Sequence, residues 1–121
     1  MQQTAISIRP FIGAADFEIS RSFYRALGFE ESIIAYNMSY FKTKGLGFYL
    51  QDAYVKDWID NTMIFLEVAN VDLYWQQLQA LNLTIQFKNV RLTAIKKYNW
   101  GCECFLHDPS GILWHFGQFS K

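Results

Sequence analysis

The sequence predicts an α+β domain built from two successive strand–helix–strand–strand–strand modules. Each module turns one sheet face to its helix and leaves the other free to line a cavity. Three observations lead there. The apolar pattern alternates between strand-like and helix-like periods, and it does so twice in the same order. Arg9 and Met63, Asp16 and Asn70, Leu27 and Leu81, and Gly28 and Asn82 all share one spacing of 54 positions. The 121 residues, 51% hydrophobic and 18% charged, suit a single folded domain. It spans 1–121, with modules at about 5–51 and 62–119.

The elements follow in order. Residues 6–12 alternate and read as a strand, which Pro10 confines to an edge or an irregular position. Asp16 is an N-cap, Ile19, Phe23 and Leu27 share one helical face, and Gly28 stops the helix. Residues 29–35, 38–42 and 46–51 read as strands, the last two joined by a tight turn at Lys44-Gly45. Residues 52–61 are polar and read as a linker, with Trp58 as a lid over hydrophobic surface. The pattern then restarts. Residues 62–68 form a strand, Asn70 is an N-cap, and Val71, Tyr74, Trp75, Leu78 and Leu81 make an apolar helical stripe. Asn82 takes a left-handed C-cap, and strands follow at 83–87, 101–107 and 112–119, the last two joined by the turn Asp108-Pro109-Ser110-Gly111.

Several function classes are excluded. Eleven Lys and Arg balance eleven Asp and Glu with no basic cluster, which argues against nucleic-acid binding by phosphate neutralisation. No apolar run approaches the ~20 residues of a membrane span, and the polar N-terminus lacks the pattern of a signal peptide, so the expected location is the cytoplasm. Cys102 and Cys104, two apart on one strand, are poorly placed for a disulfide and too few for a zinc site. Ser110 serves turn geometry, and no nucleophile constellation, phosphate loop or catalytic carboxylate pair is present.

The segments FYRALGF (23–29) and DPSGILWHF (108–116), with the strand–helix repeat, resemble the glyoxalase/bleomycin-resistance/dioxygenase (vicinal oxygen chelate) superfamily. The resemblance is closer to the bleomycin-resistance branch. Pro10 stands six residues before Asp16, Asp60-Asn61-Thr62 enters the fifth strand, and Trp100, Gly101, Glu103, Leu106, Asp108, Pro109, Gly111, His115 and Phe116 match the final motif. This resemblance implies two βαβββ modules in a cupped mixed sheet with helices outside. It also implies metal-ligand positions at Arg9, Tyr49, Met63 and His115. Arg cannot ligate, and Tyr and Met are poor ligands for such a dication, so no metal, no cofactor and no catalytic residue are expected.

Strand parity supplies the expected site. Met63, Phe65 and Glu67 face the cavity opposite the aliphatic face of their strand; Glu103, Phe105 and His115 join them, with Glu103 and His115 as a hydrogen-bonded pair. Tyr40 lies opposite Tyr49 across a two-residue turn, and Trp100 offers a stacking platform. Arg9 either takes a carboxylate or phosphate of a ligand or bridges to Glu67 or Glu103. The implied function is non-enzymatic binding of a planar or amphipathic, antibiotic-like small molecule by a homodimer. The alternative is a metal-dependent lyase, thiol transferase or dioxygenase of the same superfamily. A net charge of zero leaves little field for capturing a cationic ligand.

Overall fold

A computed structural model describes residues 1–120. The first module comprises β1 (Phe11–Gly13), α1 (Phe17–Ala26), β2 (Glu30–Ala35), β3 (Met38–Thr43) and β4 (Leu46–Gln51). A short helix, α2 (Lys56–Asp60), leads into β5 (Met63–Glu67), α3 (Val71–Ala80), α4 (Leu83–Gln86), β6 (Arg91–Tyr98), β7 (Gly101–His107) and β8 (Leu113–Phe119). The strands form two four-stranded sheets, ordered β1-β4-β3-β2 and β5-β8-β7-β6, so the second module repeats the topology of the first. In each sheet the first strand pairs parallel with the last and the other pairs are antiparallel. The α+β class, the two-module plan and the cupped fold are therefore as the sequence implies.

The helices begin where side-chain acceptors meet free backbone donors. Asp16 accepts from the Ile19 amide at 3.1 Å and Asn70 from the Leu73 amide at 3.0 Å, each satisfying one donor of a first turn. α1 turns Phe23 and Tyr24 inward, where Tyr24 meets Phe41 and Phe48 of the first sheet. α3 covers the second sheet, with Tyr74 against Phe116 at 4.8 Å between ring centroids. Trp114 of β8 also contacts Tyr24 and Phe48. The helix-side faces of both sheets thus share one core.

Buried polar bonds cross this core. The Tyr24 hydroxyl donates to Asp108 Oδ2 at 2.6 Å and accepts from Trp114 Nε1 at 3.0 Å. Asp108 Oδ1 accepts the amides of Ser110, Gly111 and Ile112. The Ala15 amide donates to Ser110 Oγ at 2.9 Å, so the turn of the second module also ties down the entry of α1.

Three local expectations are corrected. Residues 6–10 are not strand: the chain leaves the sheet at Pro10, whose carbonyl accepts from the Tyr49 amide, and Ile6 and Ile8 stand 100% and 94% exposed. Residues 83–87 are not strand either. Asn82 at φ 55° stops α3, and Leu83 and Phe87, four apart, point together into the core, where Phe87 meets Phe23. That spacing belongs to a helical turn. The strand lies instead at β6, where a register irregularity between Thr93 and Lys96 breaks the alternation that would have revealed it. Finally, 52–61 is not a featureless linker. α2 buries Ile59 and leaves Trp58 73% exposed, so Trp58 is no lid.

One ion cluster makes acid stability predictable. Arg21, Arg25 and Ser39 all donate to Glu31, whose side chain is nearly buried. Burial alone would push this carboxyl up, but the three donors hold it at about 2. A folded value below the unfolded one adds stability above the unfolded range, and that stability is lost as pH falls toward 2. Glu31→Gln should remove on the order of 2 kcal/mol at neutral pH and flatten the urea midpoint between about pH 5 and 2.

Candidate functional site

The expected site residues fall into two groups, one on the open face of each sheet. On the second sheet, register places Phe65 beside His115 and His115 beside Phe105 in one row. His115 Nδ1 lies 2.8 Å from Glu103 Oε1 and Nε2 lies 3.4 Å from Met63 Sδ. The predicted His115–Glu103 pair is thus formed. Glu103 is buried, so this bond satisfies a carboxylate that water barely reaches. The thiol side of β7 points the other way: Cys104 is buried in the core, which pushes its thiol up to about 11, and both cysteines are free.

Next to that polar centre lies an aromatic patch. Trp100 stacks on Tyr98 at 5.3 Å with 9° between planes, and it meets Phe119 at 5.4 Å and Phe65 at 6.1 Å. Phe65 and Phe119 are 5.6 Å apart. All four rings stay partly open to solvent; Trp100 is 38% exposed. Gly117 makes the arrangement possible, because a Cβ there would lie 2.3 Å from the Phe65 ring. Lys96 stands over Phe105 at 5.7 Å and adds a cation at the patch border.

The first sheet carries the rest. Phe11, Tyr49 and Tyr40 occupy one row across β1, β4 and β3. Phe11 stacks on Tyr49 at 4.7 Å, and Tyr40 meets Tyr49 at 5.1 Å. The Arg9 guanidinium lies 4.3 Å from the Tyr40 ring centre and donates to the Tyr49 hydroxyl at 2.9 Å, a bond that raises its pKa further. Arg9 does not bridge to Glu67 or Glu103; among the described residues it has no carboxylate partner. A groove of about 440 Å³ is lined in part by Arg9, Tyr40 and Leu46 of the first module and by Phe65, Leu66 and Trp114 of the second.

Two residues of the patch, Tyr98 and Phe119, were not expected. Phe119 shares the parity of His115 and could have been read from it. Tyr98 could not, because the register irregularity in β6 breaks the alternation that would mark its strand.

The four positions marked by the resemblance do not make one ligand set. Arg9 and Tyr49 bond to each other on the first sheet, whereas Met63 and His115 meet on the second. Among the described residues no three His, Cys, Asp or Glu side chains converge. The residues present do not fit a hard or borderline dication, which needs about three oxygen or nitrogen ligands from the protein.

Comparison with known proteins agrees with this architecture. Neither a protein-family model nor a curated protein matches the chain. Solved structures do. A bleomycin-binding protein from bleomycin-producing Streptomyces verticillus, complexed with copper(II)-bleomycin, superimposes with a TM-score of 0.81 at 18% identity, covering 98% of this chain and 100% of that one. An antibiotic-binding protein from Streptomyces sp. CB03234 gives 0.72 at 21% identity over 98% and 100%. A lactoylglutathione lyase from Agrobacterium tumefaciens also gives 0.72, at 16% identity over 96% of both chains. The chain therefore has the glyoxalase/bleomycin-resistance fold, with the bleomycin-binding proteins among its structural neighbours. No helix among the described residues is long and apolar enough to cross a membrane.

Proposed function

We propose that the chain is a non-enzymatic binding protein that sequesters a planar or amphipathic, antibiotic-like small molecule in the cytoplasm. The observation that carries this reading is the open aromatic patch of Phe65, Tyr98, Trp100 and Phe119 beside the Glu103–His115 pair. Flat rings offered together at a partly exposed site suit stacking on a conjugated ligand, and a positioned polar pair can fix its orientation. The bleomycin-binding and antibiotic-binding neighbours support a ligand of this kind. The lyase neighbour supports the rival enzyme, but the donor set described above lacks the ligands that a metal-dependent reaction on this fold would use.

The working form is a homodimer. Within one chain Arg9 and Tyr40 of the first module and Phe65 of the second already line one groove, which the exposed arm borders. The uncovered apolar arm at residues 6–8 and the free edge of β5 support association, because each is surface that a second copy would cover. Light scattering at micromolar concentration should give a dimer, burying on the order of 1,600 Å² or more; a monomer would overturn the homodimer. A thermal-shift screen with bleomycin, flat aromatic acids and alcohols, and divalent cations tests the ligand class. An aromatic compound should raise the melting temperature, since it binds only the folded state. A rise with a divalent cation alone would favour the enzyme.

A further inference from the structure

The Arg9 group on the first sheet has features that the stacking reading does not use. Its guanidinium is fixed from two sides, by the Tyr40 ring beneath it and by the Tyr49 hydroxyl that accepts from Nη1. Tyr49 is itself held between Phe11 and Tyr40. The cation is therefore positioned before any ligand arrives, and much of the ordering cost of a long flexible side chain is already met by the fold. Yet nothing neutralises it. Arg21 and Arg25 share Glu31, whereas Arg9 meets no carboxylate among the described residues, and its other N–H groups have no partner there. Lys42 lies on the same face two residues beyond Tyr40 and adds a second positive charge. A planar, weakly hydrated, preorganised cation set among aromatic rings matches a carboxylate or similar oxyanion attached to a flat body.

We infer that Arg9, steadied by Tyr40 and Tyr49, is the anion-reading residue of the ligand site, and that the ligand is a flat aromatic molecule carrying an acidic oxygen group. The inference rests on the small-molecule reading above and adds the charge of the ligand to it. Arg9 supplies the contact that discriminates acid from neutral analogue; the aromatic patch on the second sheet supplies affinity that is indifferent to charge. Net neutrality of the chain fits this division, since a fixed local cation needs no overall field.

The test compares two fluorescent probes with the same ring system, pyrenebutyrate and pyrenebutanol, titrated into the full chain. The wild type should bind the acid about tenfold more tightly than the alcohol, as one charge-assisted contact provides, and added salt should shrink that ratio. Arg9→Gln should weaken only pyrenebutyrate and bring the ratio to about one, while its urea midpoint stays at the wild-type value because Arg9 is exposed. Trp100→Ala should weaken both probes alike and keep the ratio. A ratio retained in Arg9→Gln would overturn the assignment of Arg9. Equal binding of both probes by the wild type would overturn the anionic ligand and leave the stacking reading standing. Binding of neither probe would overturn the stacking reading and this inference with it.

Discussion

Asp108→Ala should destabilise the fold by about 4 kcal/mol, near the upper end for a single substitution. The carboxylate is wholly buried and accepts four hydrogen bonds: three from the amides of its own turn and one from the Tyr24 hydroxyl. Burial is the largest influence on it and raises its pKa, although all four donors pull the other way. Removing the side chain leaves three amides of the turn without that acceptor and the Tyr24 hydroxyl without its own, in a site that water does not reach. The loss also crosses modules, because Tyr24 belongs to α1 and Trp114, which donates to Tyr24, belongs to β8. Urea denaturation of Asp108→Ala and Asp108→Asn reads the effect. Asn keeps an oxygen for the turn and should fall between wild type and Ala. A cost of less than about 1 kcal/mol for Ala would show that the turn is satisfied by other groups.

Phe23→Ala should cost about 3–5 kcal/mol, and Trp100→Ala much less. Phe23 is fully buried between Tyr24, at 5.1 Å, and Phe87, at 5.4 Å, where the loss of a ring leaves a cavity under α1. Trp100 is an open ring whose neighbours Tyr98, Phe65 and Phe119 are themselves partly exposed, so water fills the space it vacates. Paired urea melts separate the two roles. Equal losses of stability would place Trp100 in the core and remove it from the binding face.

What the sequence revealed, and what it hid, follows from how each residue carries its signal. The faces of β5, β7 and β8 were legible because those strands are regular: Ile64, Leu66 and Val68 pack on the core while Met63 and Phe65 stay open, and Glu103 meets His115 as parity required. The cross-strand pair Tyr40 and Tyr49 followed from a two-residue turn that the structure keeps. The failures share a cause. At residues 6–10 the alternation is genuine, but Pro10 has no N–H to continue a ladder and the chain departs there. At 83–87 the alternation of Leu83, Ile85 and Phe87 reads as a strand, but Leu83 and Phe87, four apart, pack inward as a helical turn, with Phe87 against Phe23 and Ile85 left exposed. At 91–98 an irregularity hid the alternation, and Tyr98 was lost with it. The relation between the two open faces was not legible at all, because it depends on Tyr24, Phe48 and Trp114 packing across modules. No local pattern encodes that contact.

On the proposed function, a flat ligand settles on the aromatic face of the second sheet. A two-dimensional NMR titration of the full chain with pyrenebutanol, whose lack of charge makes the result independent of Arg9, decides whether it does. The shifts should concentrate on Phe65, Tyr98, Trp100 and Phe119 and extend to His115, and Trp100→Ala should weaken affinity by roughly 1–3 kcal/mol, by analogy with base–aromatic stacking. Shifts gathered instead around the cleft of Asn89, Arg91 and His107, with Trp100→Ala binding as wild type does, would contradict the account.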